Sequence, residues 1–596
     1  MPLTDPDRIS RDRQSPRILT LWRALQPLKS VLRFMNTGAH PDDETSAMLA
    51  ALGFRDGVNL SYLCANRGEG GQNDIGSEVT EDLGTIRTAE MERAAEILDM
   101  RLYWLSETPE DTVFDFGFSK SGVETMAKWG RDRVLARFVD LVRADRPDIL
   151  CPTFLDIPGQ HGHHRAMTEA AHLVMDLAAD PGFNGSDLPV WTVSKLYLPA
   201  WSGAGGSYDD EVPPPPEALR ISGLGQEEVS GWSWARIGQQ SRWYHKSQGM
   251  GRWVAPGDGT GWPLHLVRSA FGRDEAALGD HLPARLADLG AAADLAVADT
   301  AIEGALAAFP DRPAILKFAL AAHGALTRAE TGVAEQHRHR IEAKLAQLSR
   351  VIRIASGVDA RGWLGADLLA PGDTVPLHVE TGDAAGFALS VTPDLPEGWH
   401  ATAEGVGPGK DTPPSNPYPD RYDPLSPPRP RLQVALGDIR STVALEVTPL
   451  VLPPRRATLS QDSMVVNLAR PARKVSLDLT GRQGGRPAFD LPEGWGQIWR
   501  GDNVQITLPR DLAAGLYDLP LMLDGQPAQT ARVLRKPHIA PRLRSFAARL
   551  RIRALDVATP AARIAYIGGG NDRVAGWLSA IGCDVTVLEP ADLEAA

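Results

Sequence analysis

An α/β fold with a mostly parallel sheet is predicted for the N-terminal part of this chain, followed by helical and then β-rich parts. From Val31 to about Leu198, short apolar runs alternate with segments of helical periodicity, the pattern of successive βαβ units. From Gly357 onward, alternating apolar and polar residues bounded by Gly, Pro and Asp predict strands instead. At 596 residues, the chain is also too long for a single hydrophobic core.

Changes in pattern mark the expected domain boundaries. The first domain is expected to hold a Rossmann-like sheet, and the Ala- and Leu-rich stretch after it a helical hairpin or small bundle. Within the first domain, Glu124–Ala144 is predicted as one long helix. The predicted parts are an α/β domain at 1–255, a helical segment at 256–356, β-sandwich-like domains at 357–455 and 456–545, and the beginning of a further α/β unit at 560–596.

Two features of the C-terminal half support this division. The six residues DLPEGW occur at Asp394–Trp399 and again at Asp490–Trp495, separated by about the length of an immunoglobulin-like sandwich. We expect the tryptophan of each copy to pack in a core. The stretch after Arg563 has the order strand, glycine-rich turn, helix and strand, as in the first βαβ unit of a doubly wound domain.

The composition narrows the class of protein. Hydrophobic residues make up 43% and charged residues 23%, which is typical of a globular protein, and the net charge of −13 argues against binding nucleic acid through a basic face. The three cysteines are far apart, which argues against a disulfide scaffold and a thiolate zinc site. We find no signal-peptide core and no apolar stretch of membrane-spanning length, so the sequence predicts a cytoplasmic protein.

Ionisable residues are concentrated at the ends of two predicted strands. His40 and the carboxylates of Asp42, Asp43 and Glu44 follow the first strand, and three histidines within His161–His164 follow the strand DILCPTF. Helix capping explains carboxylates in a first turn but does not explain the histidine. Because parallel strands end at the same edge of a sheet, the two clusters are expected to meet. Imidazoles with a carboxylate, plus a spare carboxylate to act on water, are typical of a catalytic zinc site.

Several ordered motifs then resemble one family. AHPDDE and HGHH, together with GEGGQNDIG, IRTAEMERAAEIL and SRWYHKSQGMG, are similar to the PIG-L/LmbE-like N-acetylglucosaminyl deacetylases over about Val31–Gly251. The large multidomain members of that family also resemble this chain in DFGFSKSG (Asp115–Gly122), in β-domains and in an amidotransferase-like C-terminal domain, of which only the beginning stands here.

The resemblance implies a role for each of five residues. His40, Asp43 and His164 correspond to the zinc ligands, although the family also accepts other divalent metals. Asp42 corresponds to the general base that takes a proton from the attacking water. His161 corresponds to the residue that polarises the amide carbonyl and later helps to protonate the leaving amine. The resemblance assigns no role to His163.

Weaker expectations concern the substrate. The glycine-rich loop after the second strand lacks the Gly-Lys-Ser/Thr of a P-loop, so a sugar-facing loop is the better interpretation. Arg87 resembles the family's substrate-contacting arginine, with a surface salt bridge to Glu90 as the alternative. His245 either closes the pocket or stabilises the end of the domain. The expected substrate-binding residues are thus Arg87, Glu69, Gln72, Asn73 and His245.

The resulting prediction is a zinc-dependent hydrolase that removes an N-acetyl group from a GlcNAc-containing or related N-acylated substrate. Its partner would be a small N-acetylated glycoside, without nucleic acid or a membrane span, and the sequence leaves the oligomeric state open. The alternative is a non-catalytic scaffold whose tandem β-domains bind carbohydrate or protein.

Overall fold

The computed structural model describes residues 3–201, 212–255, 261–272, 275–382, 384, 386–568, 572–589 and 591–592. Its N-terminal part contains seven strands and eight α-helices. The strands are β1 (Arg33–Gly38), β2 (Asn59–Cys64), β3 (Arg101–Trp104), β4 (Ile149–Pro152), β5 (Lys195–Pro199), β6 (Leu219–Ile221) and β7 (Trp262–Ser269). The helices are α1 (Asp5–Gln14), α2 (Arg17–Leu25), α3 (Ser46–Ala50), α4 (Glu81–Leu98), α5 (Gly122–Trp129), α6 (Arg131–Asp145), α7 (Gly162–Leu177) and α8 (Trp234–Arg242).

The helical segment and the two β-rich regions follow in chain order. The helices are α9 (Ala293–Ala307), α10 (Arg312–Ala329) and α11 (Glu335–Ala355). The first β-rich region contains β8 (Ala360–Leu364), β9 (Leu368–Leu369), β10 (Leu377–Thr381), β11 (Leu389–Asp394), β12 (Trp399–Thr402), β13 (Gly405–Pro408), β14 (Arg421–Tyr422), β15 (Arg431–Leu436), β16 (Ile439–Ala444) and β17 (Leu450–Val451). The second contains β18 (Arg456–Leu459), β19 (Ser463–Asn467), β20 (Lys474–Gln483), β21 (Pro487–Phe489), β22 (Gly496–Arg500), β23 (Asn503–Thr507), β24 (Gly515–Leu523), β25 (Gln526–Pro527), β26 (Gln529–Leu534), β27 (Arg542–Ala547) and β28 (Arg549–Leu555).

The N-terminal strands form one sheet in the order β14-β3-β2-β1-β4-β5-β7-β6. The five strands from β3 to β5 are parallel, and β7, β6 and β14 are antiparallel to their neighbours. This confirms the predicted mostly parallel α/β sheet. Strand β1 is buried along its whole length, as expected for a central parallel strand covered on both faces.

The predicted helix Glu124–Ala144 is instead two helices, α5 and α6. Gly130 joins them at φ +85°, a backbone conformation that glycine adopts at little cost and that ends the first helix. Periodicity alone does not reveal this break, because the apolar positions continue on both sides of the glycine.

The β-rich regions differ from each other in architecture. In the first, the strands form small sheets of two or three strands, apart from β14, which adds to the edge of the N-terminal sheet. In the second, a six-stranded and a five-stranded sheet share one core, and β27 and β28 carry it to Leu555, beyond the expected boundary at 545. In both DLPEGW copies the backbone N–H of the tryptophan donates to the backbone carbonyl of the proline three residues earlier, so the two copies form the same turn.

The C-terminal stretch forms β29 (Arg563–Tyr566), α12 (Val574–Ile581) and β30 (Asp584–Val587), with the two strands parallel. Part of the predicted glycine-rich turn, 569–571, lies outside the described residues, as do 590 and 593–596. Among the helices that the structure describes, none has both the length and the apolar character needed to cross a membrane.

Candidate metal centre

The two polar clusters meet at one edge of the sheet. Strand β1 ends at Gly38, just before His40, and the neighbouring parallel strand β4 ends at Pro152, ahead of the loop that leads to His161 and helix α7. Gly38 is required at this point, because a Cβ there would lie 2.1 Å from the Tyr62 hydroxyl and 2.6 Å from the Asp43 Cβ. The chain can therefore turn tightly enough to bring Asp43 back over the strand end.

His40, Asp43 and His164 converge on a common point. The distance from His40 Nδ1 to His164 Nε2 is 3.2 Å. The Asp43 carboxylate lies between these rings, with Oδ2 3.4 Å from His40 Nδ1 and Oδ1 3.4 Å from His164 Nε2. Its Oδ2 also accepts hydrogen bonds from the backbone N–H groups of Ala39 (2.8 Å) and His40 (2.9 Å), which fix its orientation.

These donor atoms fit a bound cation. Zinc–nitrogen and zinc–oxygen bonds of about 2.0–2.1 Å in a tetrahedron place the ligand atoms about 3.3 Å apart. The 3.2 Å between His40 Nδ1 and His164 Nε2 matches that value, and each of these nitrogens has one Asp43 oxygen at 3.4 Å, Oδ2 for His40 and Oδ1 for His164. Two imidazoles and one carboxylate are also the donor types of a catalytic zinc site, which keeps one position for water or substrate.

The hydrogen bonds of the two histidines select the tautomers that ligation requires. His164 Nδ1 donates to Gln160 Oε1 at 3.2 Å, which leaves Nε2 with a free lone pair toward Asp43 and His40. His40 Nε2 lies 2.9 Å from His163 Nδ1, so a proton on His40 Nε2 leaves its Nδ1 free on the ligand side. Gln160 and His163 therefore orient the rings, a function that the sequence did not reveal for either residue.

A second arrangement of donors shares His40. Ligand atoms of His40, His161 and His163 also lie within 4.8 Å of one another. However, His163 Nδ1 is already within hydrogen-bonding distance of His40 Nε2, and this set has no carboxylate. The arrangement with Asp43 is the better donor set, because its carboxylate also offsets part of the cation's charge.

The same groups perturb the pKa of His40. Burial lowers this pKa, but the carboxylates of Asp43, Asp115 and Asp42 outweigh that effect and raise it to about 9. Burial likewise opposes ionisation of Asp43, yet His164 and His40 hold its pKa well below the usual value. The carboxylates of this buried cluster thus favour positive charge on His40.

Asp42 stands beside this cluster in a strained conformation. Its φ of +114° is rare for a residue with a side chain. Two side chains hold the loop in place, since Arg242 Nη1 donates to the Asp42 carbonyl at 2.7 Å and Gln248 Nε2 to the Pro41 carbonyl at 2.6 Å. Burial and the neighbouring Asp43 raise the pKa of the Asp42 carboxyl to about 6.

His161 lies against the loop that contains Gly117. Its Nε2 is 3.2 Å from the Gly117 carbonyl oxygen and therefore donates to it, whereas its buried Nδ1 has no partner among the described residues. Burial and the nearby rings of His40 and His164 lower the pKa of His161 to about 4. His161 thus presents one free ring nitrogen at the edge of the donor cluster.

Two of the expected substrate-binding residues have partners within the protein. Glu69 is buried, and its carboxylate accepts from the N–H groups of Arg67 and Asp115 and from the Tyr418 hydroxyl. The Asn73 amide bonds Glu78 and the N–H of Ile75 within its own turn. These contacts stabilise the glycine-rich loop and leave few free donors or acceptors on Glu69 and Asn73, whose expected role in binding the sugar stays a prediction.

Arg87 is buried beneath the same loop. Its Nη2 donates to the Gln72 carbonyl at 2.8 Å, and a Cβ at Gly68 or Gly71 would lie 2.5 Å from its guanidinium. The alternative salt bridge to Glu90 is wrong, since Glu90 instead bonds Ser247 and His538. The Gln72 side chain is exposed and remains available to a ligand.

His245 is fully buried and does not line an open site. Its Nε2 lies 3.1 Å from Glu44 Oε1, and Glu44 is itself buried. This burial favours the alternative that His245 stabilises this end of the domain, and its closing of the pocket stays a prediction. Arg242, three residues before His245, donates to the backbone carbonyls of Asp42 and Glu44. The segment from Arg242 to His245 therefore stabilises the acidic loop.

Comparisons with known proteins find similar deacetylases for the N-terminal part of the chain. Residues 35–175 match the family described as PIG-L, GlcNAc-PI de-N-acetylase. A 1D-myo-inositol 2-acetamido-2-deoxy-alpha-D-glucopyranoside deacetylase 2 from Saccharopolyspora erythraea is 29% identical over 27% of this chain and 62% of its own length. The corresponding deacetylase 1 from Catenulispora acidiphila is 28% identical over 28% of this chain and 55% of its own.

The matched segment thus spans less than two thirds of either curated relative. Among solved structures, an N,N'-diacetylchitobiose deacetylase from Pyrococcus horikoshii is similar at 17% identity and a TM-score of 0.26, covering 44% of this chain and 93% of that one.

Proposed function

Because the chain belongs, through its N-terminal domain, to the PIG-L/LmbE-like deacetylase family, we propose that it is a metal-dependent N-deacetylase. The proposed substrate is a small GlcNAc-containing glycoside or a related N-acylated molecule. The observation that carries this proposal is the convergence of His40 Nδ1, Asp43 and His164 Nε2 at the spacing of a tetrahedral cation site.

His40, Asp43 and His164 would hold the cation, with zinc as the expected ion and other divalent metals as acceptable substitutes. A bound cation of this kind supplies Lewis acidity, which polarises an amide carbonyl and lowers the pKa of water toward about 7. Gln160 and His163 keep the two imidazole lone pairs directed at that point.

Asp42 is the proposed general base. Its carboxylate follows directly before Asp43 in the chain, and the raised pKa of about 6 makes it a competent proton acceptor near neutral pH. Arg242 and Gln248 hold its loop by backbone carbonyls and leave the carboxylate itself free of those bonds. Attack by water on the amide then needs no covalent acyl-enzyme.

His161 is the proposed residue for the leaving group. Its Nε2–H is engaged by the Gly117 carbonyl, and the lowered pKa of about 4 leaves Nδ1 without a proton near neutral pH. Nδ1 therefore takes up a proton released from the attacking water, and Nδ1–H then stabilises negative charge on the carbonyl oxygen before it gives this proton to the departing amine. Arg87 and Gln72 remain the proposed contacts to the sugar.

The alternative of a non-catalytic scaffold is disfavoured by Asp42. A binding module has no need for a carboxylate held at a positive φ beside a second buried carboxylate, since both features cost stability. Such strain is typical of a site in which geometry serves a reaction.

The test uses the purified full-length protein. We expect about one zinc ion per chain by elemental analysis and acetate release from a panel of N-acetylglucosaminides. His164→Ala should lose both the metal and activity, whereas His172→Ala, an exposed histidine on the same helix, should change neither. Full metal content and activity in His164→Ala would contradict the proposed ligand set.

A further inference from the structure

A large cleft lies between the N-terminal domain and the two β-rich regions, apart from the donor cluster. Its volume is about 2160 Å³, and it is walled by helix α1, by helix α8 with the segment after it, by loops of the first β-rich region and by the turn between β26 and β27. Small-molecule pockets usually measure about 300–1,000 Å³. This cleft is therefore large enough for an extended ligand of several sugar units.

Part of the cleft is positively charged, unlike the chain as a whole, whose net charge is −13. Among the described residues, its lining contains thirteen arginines, and seven of them form ion pairs with carboxylates in or next to the cleft. The six without an ion pair in that part of the chain are Arg11, Arg13, Arg236, Arg252, Arg353 and Arg440. A cleft of one sign within a molecule of the other sign concentrates oppositely charged ligands through its local field. The expected ligand is therefore an anion.

Several of these arginines lack an acidic partner within the part of the chain that the structure describes. Arg11 and Arg236 donate only to the backbone carbonyls of Glu446 and Val254. Arg252 is exposed, and no ion pair of its side chain is found. Burial and the neighbouring Arg350 and Arg17 lower the pKa of Arg353 to about 10. These guanidinium groups would therefore gain from a bound anion.

Aromatic side chains interleave with these charges. Trp253 is 82% exposed and Trp243 is 46% exposed, which is unusual for tryptophan. The Arg236 guanidinium lies 4.7 Å from the centre of the Trp253 ring, and the Lys246 ammonium lies 3.8 Å from that of Trp243. Each tryptophan therefore offers an apolar face next to a cation.

We propose that this cleft binds an anionic oligosaccharide. The guanidinium groups would pair with the carboxylates of the saccharide, and the tryptophans would stack against its sugar rings. A long nucleic acid is the less suitable polyanion, because the remaining surface is acidic and would repel a duplex or a long strand. Arg242, which precedes Trp243 of the cleft wall, donates to the Asp42 carbonyl beside the donor cluster.

The test measures binding to the full-length protein by calorimetry and tryptophan fluorescence. The probes are a hyaluronan octasaccharide, which carries one carboxylate in every second sugar, and cellohexaose, which is neutral and has no N-acetyl group. Hyaluronan should bind, cellohexaose should bind at least about tenfold more weakly, and raising salt from about 50 to 300 mM should weaken hyaluronan binding. Because no acetate release is measured, failure of the proposed deacetylation leaves this readout unaffected.

Variants locate the binding. The double substitution Arg236→Ala/Arg252→Ala and the single substitution Trp253→Ala should each weaken hyaluronan binding about tenfold. Arg551→Ala removes an exposed arginine from strand β28, outside the cleft, and should leave binding within about twofold. Unaltered circular dichroism would show that the variants fold. Equal binding by the neutral oligomer, tighter binding of a uridine octanucleotide, or unchanged binding in the cleft variants would overturn the proposal.

Discussion

Two buried clusters of ionisable side chains lie at opposite ends of the parallel strands, one at the amino-terminal edge and one at the carboxyl-terminal edge of the N-terminal sheet. Their side chains are paired in different ways. At the amino-terminal edge, the Asp145 carboxylate accepts from Arg33 (3.3 Å) and Arg101 (2.9 Å), which begin β1 and β3. It also accepts from the hydroxyls of Tyr103 (2.9 Å) and Ser61 (2.8 Å). Both of its oxygens are therefore engaged by donors within the protein.

The cluster at the carboxyl-terminal edge lacks this balance. His40, His161, His163 and His164 have ring centroids 4.5–5.4 Å apart wherever the contacts are described, and lone pairs of two of these rings point at one carboxylate. No guanidinium completes that arrangement in the described residues, and its donor atoms are arranged as a cation would require. Burial is common to both clusters, and the orientation of the lone pairs distinguishes them.

The largest effect should come from Asp42→Asn. Loss of the general base should lower kcat by about 10²–10⁴-fold, because the amide accepts no proton from water. Asparagine tolerates positive φ well, and the substitution removes repulsion from Asp43, so the free energy of unfolding should stay equal or increase. Acetate release, zinc content and urea denaturation would be measured on the same preparation.

Asp42→Asn also tests the distinction between the two clusters. Zinc content should remain at about one per chain, since Asp42 is not a proposed ligand. Full activity of the variant would remove Asp42 from the mechanism. A lower free energy of unfolding would show that the Asp42 carboxylate stabilises the fold, as Asp145 does.

Asp145→Ala should have the opposite profile. It leaves Arg33 and Arg101 near each other without their shared carboxylate, which should destabilise the fold by about 3–5 kcal/mol. Zinc per folded chain should not change, because Asp145 lies at the other edge of the sheet. Asp132→Ala, an exposed aspartate on the same helix α6, should cost about 1 kcal/mol or less. Loss of zinc from folded Asp145→Ala protein would contradict the separation of the clusters.

His163→Leu should have an intermediate effect. The substitution keeps an apolar side chain in a fully buried position but removes the acceptor for His40 Nε2. Metal affinity should fall by about 10–100-fold, as is typical when the support of a liganding histidine is removed. His163→Gln keeps an acceptor and should recover most of this loss in a competition titration with a chelator. Equal metal affinity in folded His163→Leu and in the unaltered protein would limit His163 to a packing role.

Sequence patterns were sufficient for the parts that depend on strand order. The βαβ pattern places the ends of β1 and β4 on the same side of the sheet, and the pairing of these two strands in the structure then brings His40 to the His161–His164 loop. The partners of Glu69 could not be predicted in this way. Its carboxylate bonds Tyr418, which lies 349 residues further along the chain, in a segment that adds β14 to the edge of the sheet. No local periodicity encodes a contact of that separation.

Side-chain direction was the other limit. His163 and His164 are adjacent at the start of α7, and helix geometry sends their rings to different sides. His164 reaches Asp43, whereas His163 packs against Trp129 and Phe116 and supports His40 from behind. The sequence thus indicated a histidine–carboxylate site, but the backbone positions were needed to tell the candidate ligand His164 from the supporting His163.

The smallest effect should come from His538→Ala, which lies far from both clusters in sequence. His538, between β26 and β27, lies 2.8 Å from the buried Glu90 carboxylate, which also accepts from the N–H and the hydroxyl of Ser247. Ser247 is adjacent to Gln248, which holds the Pro41 carbonyl before Asp42. The second β-rich region thus reaches the carboxyl-terminal edge through one chain of contacts.

Removing His538 leaves Glu90 with the two Ser247 donors, so stability should fall by about 1–3 kcal/mol and kcat by only a few-fold. His538→Gln, which keeps a donor, should restore both values in thermal unfolding and acetate-release assays. A loss of kcat as large as that of Asp42→Asn, at unchanged stability, would mean that the cluster around His40 and Asp43 depends on the β-rich region for its geometry. The contrast with the self-contained cluster around Asp145 would then be sharper, since each of its five members lies within the N-terminal sheet and helix α6.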